Sequence, residues 1–165
     1  MVEEKGGWFV VNVQDARWAA HPMFGKRCIF EKEPFPQTGI GISVLEPGMP
    51  NCRYHRESAQ EDFLILSGEC LLLVNGEEKR LKTWDFVHCP PGVSHVFVGA
   101  GDGPCAILMI GHRPAQHDLF YPASELARRH NAESPEPTPD MRIAYADVPG
   151  REEIPAPDWP LRLAQ

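Results

Sequence analysis

Residues 48–68 read GMPNCRYHRESAQEDFLILSG, and residues 84–95 read WDFVHCPPGVSH. Two histidines and two glutamates, His55, Glu57, Glu61 and His95, stand at fixed spacings inside segments that otherwise have strand character. His55 and Glu57 are two apart, so on a strand their side chains share a face. Glu61 opens the next β run across a short turn. His95 arrives from a distant part of the chain, directly after the turn Pro90-Pro91-Gly92. Imidazole nitrogens and carboxylate oxygens are the donors a divalent transition metal takes. Strands far apart in sequence can aim such side chains at one point only within a closed or nearly closed sheet.

The flanking sequence supports that geometry. Strand-sized runs occur at 8–13, 27–31 and 40–46, then at 52–57, 61–67 and 70–74. Asn75-Gly76 is a strong hairpin signal and predicts a return strand at 78–82. Further runs at 85–89, 94–98 and 105–110 complete the set. An irregular stretch containing Pro22 and Gly25 separates the first two. Short strands at intervals of about 8–12 residues, punctuated by turn residues, argue for an antiparallel sandwich or barrel. After Gly111 the character changes. Ser124 can cap a short helix ELARRH, with its acid first and its bases last. Thr138-Pro139-Asp140 opens a second candidate helix, with Pro139 at its first position. Residues 147–165 hold four prolines and read as extended. Trp159, Leu161 and Leu163 need cover, so this tail is expected to pack on the barrel or on a second subunit.

Composition narrows the function classes. The chain has 165 residues, enough for one domain with a core, and 17 prolines and 14 glycines favour turns over long helices. Its net charge of −7 and the lack of a basic run argue against nucleic acid. No apolar run approaches the ~18 residues of a membrane span, and the N-terminus lacks a signal-peptide pattern; a cytoplasmic location is the expectation. The five cysteines, 28, 52, 70, 89 and 105, are odd in number and form no CxxC pair. They therefore read as free thiols, with Cys52 and Cys89 nearest the site.

The two quoted stretches resemble the paired signature motifs of the cupins. Gly48, His55, Glu61 and Gly68 match the first motif, with six residues instead of five after Gly48. Pro90, Gly92 and His95 match the second. Trp84 stands where the family has Gly, Gly99 where it often has Asn, and Glu57 where it has a second histidine. The resemblance covers about residues 40–112. It implies an all-β fold: a double-stranded β-helix (jelly-roll, cupin) barrel, here with short C-terminal helices and a Pro-rich tail. On this reading residues 1–38 supply N-terminal strands packing on the barrel, 39–112 the barrel, and 113–165 a helical and extended tail of the same domain. A homodimer is expected.

The resemblance implies one divalent transition metal ion, zinc, iron, manganese or nickel, on His55, Glu61 and His95. Glu57 is open to three readings. It is a fourth ligand, or a free carboxylate acting as catalytic general base, or a replacement that weakens metal binding. Without a metal, Arg53 would be the counter-ion. Alternation lines the pocket with Arg53, Phe63, Phe97, Ile107 and Met109, and His88 is within reach; such a wall favours a small, partly apolar ligand over a polyanion. His21, His112, His117 and His130 read as solvent-facing or tail residues. The family implies a small-molecule enzyme of the dioxygenase, lyase or isomerase class. A non-catalytic small-molecule binding or sensing barrel, and a structural barrel with a vestigial site, are the alternatives.

Overall fold

Alternating side chains with one apolar face condition much of this chain to pair as antiparallel strands, and the computed structural model, which describes residues 2–157, has fourteen of them. They are β1 Val2–Lys5, β2 Trp8–Val11, β3 Arg17–His21, β4 Gly25–Ile29, β5 Thr38–Leu45, β6 Arg56–Glu57 and β7 Glu61–Ser67. There follow β8 Glu69–Val74, β9 Glu77–Lys82, β10 Phe86–Cys89, β11 His95–Ala100, β12 Cys105–His112, β13 Leu119–Phe120 and β14 Glu152–Ile154. Two short helices, α1 Glu125–Arg129 and α2 Met141–Ala144, lie between β13 and β14.

One sheet has seven strands in the order β10-β7-β12-β5-β4-β3-β14, and it faces a three-stranded sheet, β11-β8-β9. Single bridges Pro50↔Val98 and His55↔His95 lay residues 50–55 along the free edge of β11, and β6 then pairs with β13. This is the all-β jelly-roll barrel. Leu45, Phe63, Ile65, Leu72, Phe97 and Ile107 pack between the sheets. Each such fully buried side chain contributes about 1.5–3 kcal/mol. A second cluster, Tyr54, Leu73, Val96 and Val98, seats Ala127 of α1 on the outside of the small sheet.

Four strands were not expected: β1, β3, β13 and β14. β3 falls in the stretch read as irregular, because Ala19 and Ala20 carry little strand propensity; Trp18, 1 % exposed, holds it to the core. The expected strand at 52–57 shrinks to β6. Asn51 takes both backbone groups of Phe97 for itself: its N–H donates to the Phe97 carbonyl and its side-chain oxygen accepts from the Phe97 N–H, each at 2.9 Å. Ser124 caps α1 as expected. The second helix starts later, with Asp140 as its cap, so Pro139 precedes the helix and is not its first residue.

Two departures from the motif have local causes. Trp84 has φ 73°, a left-handed conformation that Gly adopts freely, and it is 61 % exposed. Gly99 exchanges backbone hydrogen bonds with Gly48 and Met49. A Cβ there would run into the Glu46 carbonyl, so no larger residue fits. Among the described residues no helix is long and apolar enough to cross a membrane, and all five cysteines are free. Trp159, Leu161 and Leu163 lie outside the described residues.

Candidate metal centre and its cavity

The concave face of the large sheet is built row by row. Register places Glu61, Gly111 and Gly39 in one cross-strand row, and Phe63, Met109 and Gly41 in the next. Ile65, Ile107, Ser43, Arg27 and Ala19 form a third. Small residues at 39, 41 and 43 leave room above β5. The space is a cavity of about 700 Å³ that reaches from Glu61 to β3 and is roofed by α2 and residues 148–151.

His55, Glu61 and His95 converge at one end, with one donor atom of each within 4.8 Å of the others. The bridge between His55 and His95 sets the two imidazoles 5.0 Å apart, centroid to centroid. His55 Nδ1 lies 2.8 Å from the Arg53 carbonyl, and His95 Nδ1 lies 3.1 Å from the Val93 carbonyl. A carbonyl only accepts, so Nδ1 carries the hydrogen on both rings. Both Nε2 atoms then turn lone pairs toward Glu61, whose Oε2 is 3.0 Å from His95 Nε2 and 3.7 Å from His55 Nε2. That oxygen is buried and makes no hydrogen bond. Three electron-pair donors facing one another in a buried site need a cation between them. Backbone carbonyls that fix the ring tautomers are the usual support of histidine ligands. The residues therefore fit a divalent metal.

The electrostatics show the same pull on positive charge, which a proton on His55 Nε2 or a metal ion can answer. Burial pushes the Glu61 carboxyl up, but the close approach of His55, His95 and Glu57 outweighs it and holds the group well below the usual range. Burial disfavours the His55 imidazolium, yet Cys52, whose Sγ lies 3.7 Å from Nδ1, and Glu61 raise its pKa well above the ordinary value. Glu57 lies next to the cluster and outside it. Its carboxylate is bonded by His117 Nε2 from the segment before β13. Burial, then the hydrogen bond and charge of Glu61, push Glu57 up to about 7.

Residues 41–111 match the family model of the cupin domain. The chain carries a cupin domain. A sugar phosphate isomerase of the cupin superfamily from Silicibacter pomeroyi shares the fold at 23 % identity and TM-score 0.53, over 66 % of this chain and 67 % of that one. A predicted oxalate decarboxylase from Thermotoga maritima does so at 19 % and 0.56, over 64 % and 99 %. The polyketide cyclase RemF from Streptomyces resistomycificus does so at 14 % and 0.56, over 66 % and 82 %. An uncharacterized protein of Methanocaldococcus jannaschii is 23 % identical over 79 residues, which is 48 % of this chain and 63 % of that protein. The chain thus spans less than two thirds of that relative.

Within the cupin domain several residues take places other than those expected. Among the described residues the converging group has three members, and Glu57 stands beside it, engaged by His117. Phe63 and Met109 line the cavity, whereas Phe97 and Ile107 are spent in the core between the sheets. Arg53 is no counter-ion to the carboxylates. It points away and pairs with Asp147 at 2.6 Å. His88 lies on the outer side of β10, bonded to Asp62 at 2.7 Å. His21, His112 and His117, read as solvent-facing, all line the cavity, while His130 pairs with Glu78. Cys52 lines the cavity and Cys89 is buried in the core. The lining is also more basic than expected, since Arg27 and Arg151 belong to it.

Proposed function

We propose that this cupin is a metal-dependent enzyme acting on a small molecule. The observation that carries the reading is the orphaned Glu61 Oε2 between two histidines whose Nε2 lone pairs face it, at one end of a roofed cavity. His55, Glu61 and His95 would hold the ion, and two imidazoles with one carboxylate suit zinc, iron, manganese or nickel. When bound, such a metal supplies Lewis-acid polarisation of a substrate oxygen. The chain's own residues do the rest. Phe63 and Met109 present an apolar wall that excludes water from one side of the cavity. Glu57 and His117 form a carboxylate–imidazole pair that lines the cavity, an arrangement suited to taking a proton from substrate and passing it toward solvent, since His117 is the more exposed of the two. The fold neighbours bear the names of an isomerase, a cyclase and a decarboxylase; the fold does not choose among such reactions, and the proton pair favours those that move a proton.

Two measurements test this. Elemental mass spectrometry on protein purified without a His-tag should find close to one transition metal per chain, lost in His95→Ala. A panel of small hydroxy, keto and carboxylate compounds should then reveal turnover that Glu57→Gln abolishes while metal content is retained. Metal-free wild-type protein that cannot be reloaded, or a Glu57→Gln variant of undiminished activity, would overturn the reading.

A further inference from the structure

The cavity's other end is basic, against the sign of a chain whose net charge is −7. Four arginines line it: Arg27, Arg113, Arg142 and Arg151. Two are neutralised locally. Arg113 forks onto Glu31 at 2.9 and 3.0 Å, and Arg142 pairs with Asp140 at 2.6 Å. Among the described residues, Arg27 and Arg151 have neither an ion-pair partner nor a hydrogen-bond acceptor on their guanidinium groups.

Arg27 also lies along the sheet. Its backbone sits opposite Ser43 on β5, and its side chain lies across the neighbouring Gly41. A Cβ on Gly41 would stand 3.4 Å from Arg27 Nε, so the guanidinium fills the volume that a side chain there would take. Arg27 is an exposed residue that lines the cavity. Desolvation by the cavity walls and then the charge of Arg151 lower its pKa, against a smaller opposing pull from Cys52, Glu31 and Glu61. Gly41 and Glu61 are separated by two strand steps across β12, roughly 10 Å at ordinary strand spacing. His21 lines the same region. Its Nδ1 accepts from the Met23 N–H at 3.1 Å, so its Nε2 carries the hydrogen, with the Pro149 carbonyl as the acceptor an anion would replace or share.

We propose that Arg27 and Arg151, with His21 beside them, bind the oxyanion of the substrate, a phosphate or carboxylate group, at the end of the cavity opposite His55, Glu61 and His95. Two guanidinium groups that line one cavity without an ion-pair partner give that end a positive potential, and guanidinium–oxyanion bonds are among the strongest a protein makes. The inference deepens the metal-enzyme reading by naming its substrate class: a short organic acid or phosphate ester, anchored at one end and presented to the metal at the other.

The test is calorimetric titration of the full chain, as purified and after chelation of metal, with inorganic phosphate and separately with acetate. The expected result is binding that survives chelation and weakens about 10-fold or more in Arg27→Met and in Arg151→Met, the loss typical of a charge-assisted hydrogen bond. Arg27→Lys should keep part of the affinity. Tighter phosphate than acetate identifies a phosphate ester, and the reverse a carboxylate. Metal content should be the same in all variants, so a failure of the metal reading leaves the anion result intact and separately legible. Should Arg27→Met fail to fold, Arg151→Met, at an exposed position outside any strand, decides alone. Absence of anion binding by the wild type, anion binding lost on chelation, or affinity unchanged in Arg151→Met would overturn the proposal.

Discussion

Removing Asp147 should destabilise the protein more than removing Arg53, although the two form one ion pair. Arg53 is 3 % exposed and stacks over Phe24 at 5.4 Å. Its Nη2 donates to both oxygens of Asp147 at 2.6 and 2.8 Å, its Nη1 donates to the Glu133 carbonyl at 2.6 Å, and its Nε has no partner. The Asp147 side chain is 52 % exposed. In Asp147→Ala the guanidinium stays buried with one carbonyl for company. Breaking a buried pair in this way costs about 3–5 kcal/mol, and the half-exposed carboxylate discounts that to roughly 2–4 kcal/mol. In Arg53→Met no charge is stranded, because Asp147 rehydrates where it stands. Lost hydrogen bonds then cost about 1–2 kcal/mol. In the Arg53→Met background, Asp147→Ala should be neutral to within about 0.5 kcal/mol, since its target is gone. Urea unfolding of the four proteins, with unchanged m-values, measures all three quantities. An Asp147→Ala cost equal in both backgrounds would refute the reasoning.

Gly99→Ala should cost about 3 kcal/mol or more, because its Cβ meets the rigid Glu46 backbone; a loss under about 1 kcal/mol in the same assay would mean that the strand yields. Trp84→Gly should raise stability by up to about 1 kcal/mol, as it relieves a left-handed φ at an exposed site and sacrifices little burial; a lower melting temperature would count against it. Burial pushes the Glu31 carboxyl up, but the Arg113 hydrogen bond outweighs this and holds it below its ordinary 4.5. Its contribution is therefore full above about that pH and disappears as pH falls through the lower folded value, so Arg113→Met should flatten the acid limb of the stability profile, which unfolding from pH 2 to 6 reads. The exposed Trp8, Phe9 and Val10 of β2 are expected to be covered in a homodimer; light scattering should give twice the 18.5 kDa chain mass, and Trp8→Lys should halve it.

The parts of the structure that local pattern determines were legible in advance. Residues 61–67 hold a strand-sized apolar run, Phe63-Leu64-Ile65-Leu66, and became β7, and Asn75-Gly76 turned the β8–β9 hairpin with φ 47° and 84°. His55, Glu61 and His95 were readable because spacing and turn residues fix them within two short windows. What stayed hidden depends on pairings between distant segments. His117 meets Glu57 only because β13 docks on β6, 60 residues away in sequence, and nothing around it marks that contact. Arg27 could have been suspected, since it alternates with the buried Cys28 on a strand flanked by apolar ones. Its direction, however, is set by Gly41, whose small size reads in sequence as a weakness of β5 and in space as a bed for a guanidinium. Phe97 and Ile107 have the right phase for the cavity and lie too deep between the sheets, a distinction alternation alone does not make.

The roof of the cavity is tethered at both ends. Asp147 is clamped to Arg53, and Glu152 begins the three-residue β14 that pairs with β3 at Ala20. Only Val148, Pro149, Gly150 and Arg151 span the gap, about 15 Å of chain at full extension, and Pro149 stiffens it. A span so short and so anchored has no slack to swing as a lid. Passage of ligand beneath it requires one tether to release, and β14, at the sheet's edge with a single neighbour, is the weaker of the two. Opening on this side of the cavity would then run at the rate at which this edge frays, and amide exchange of residues 152–154 would be the clock that measures it.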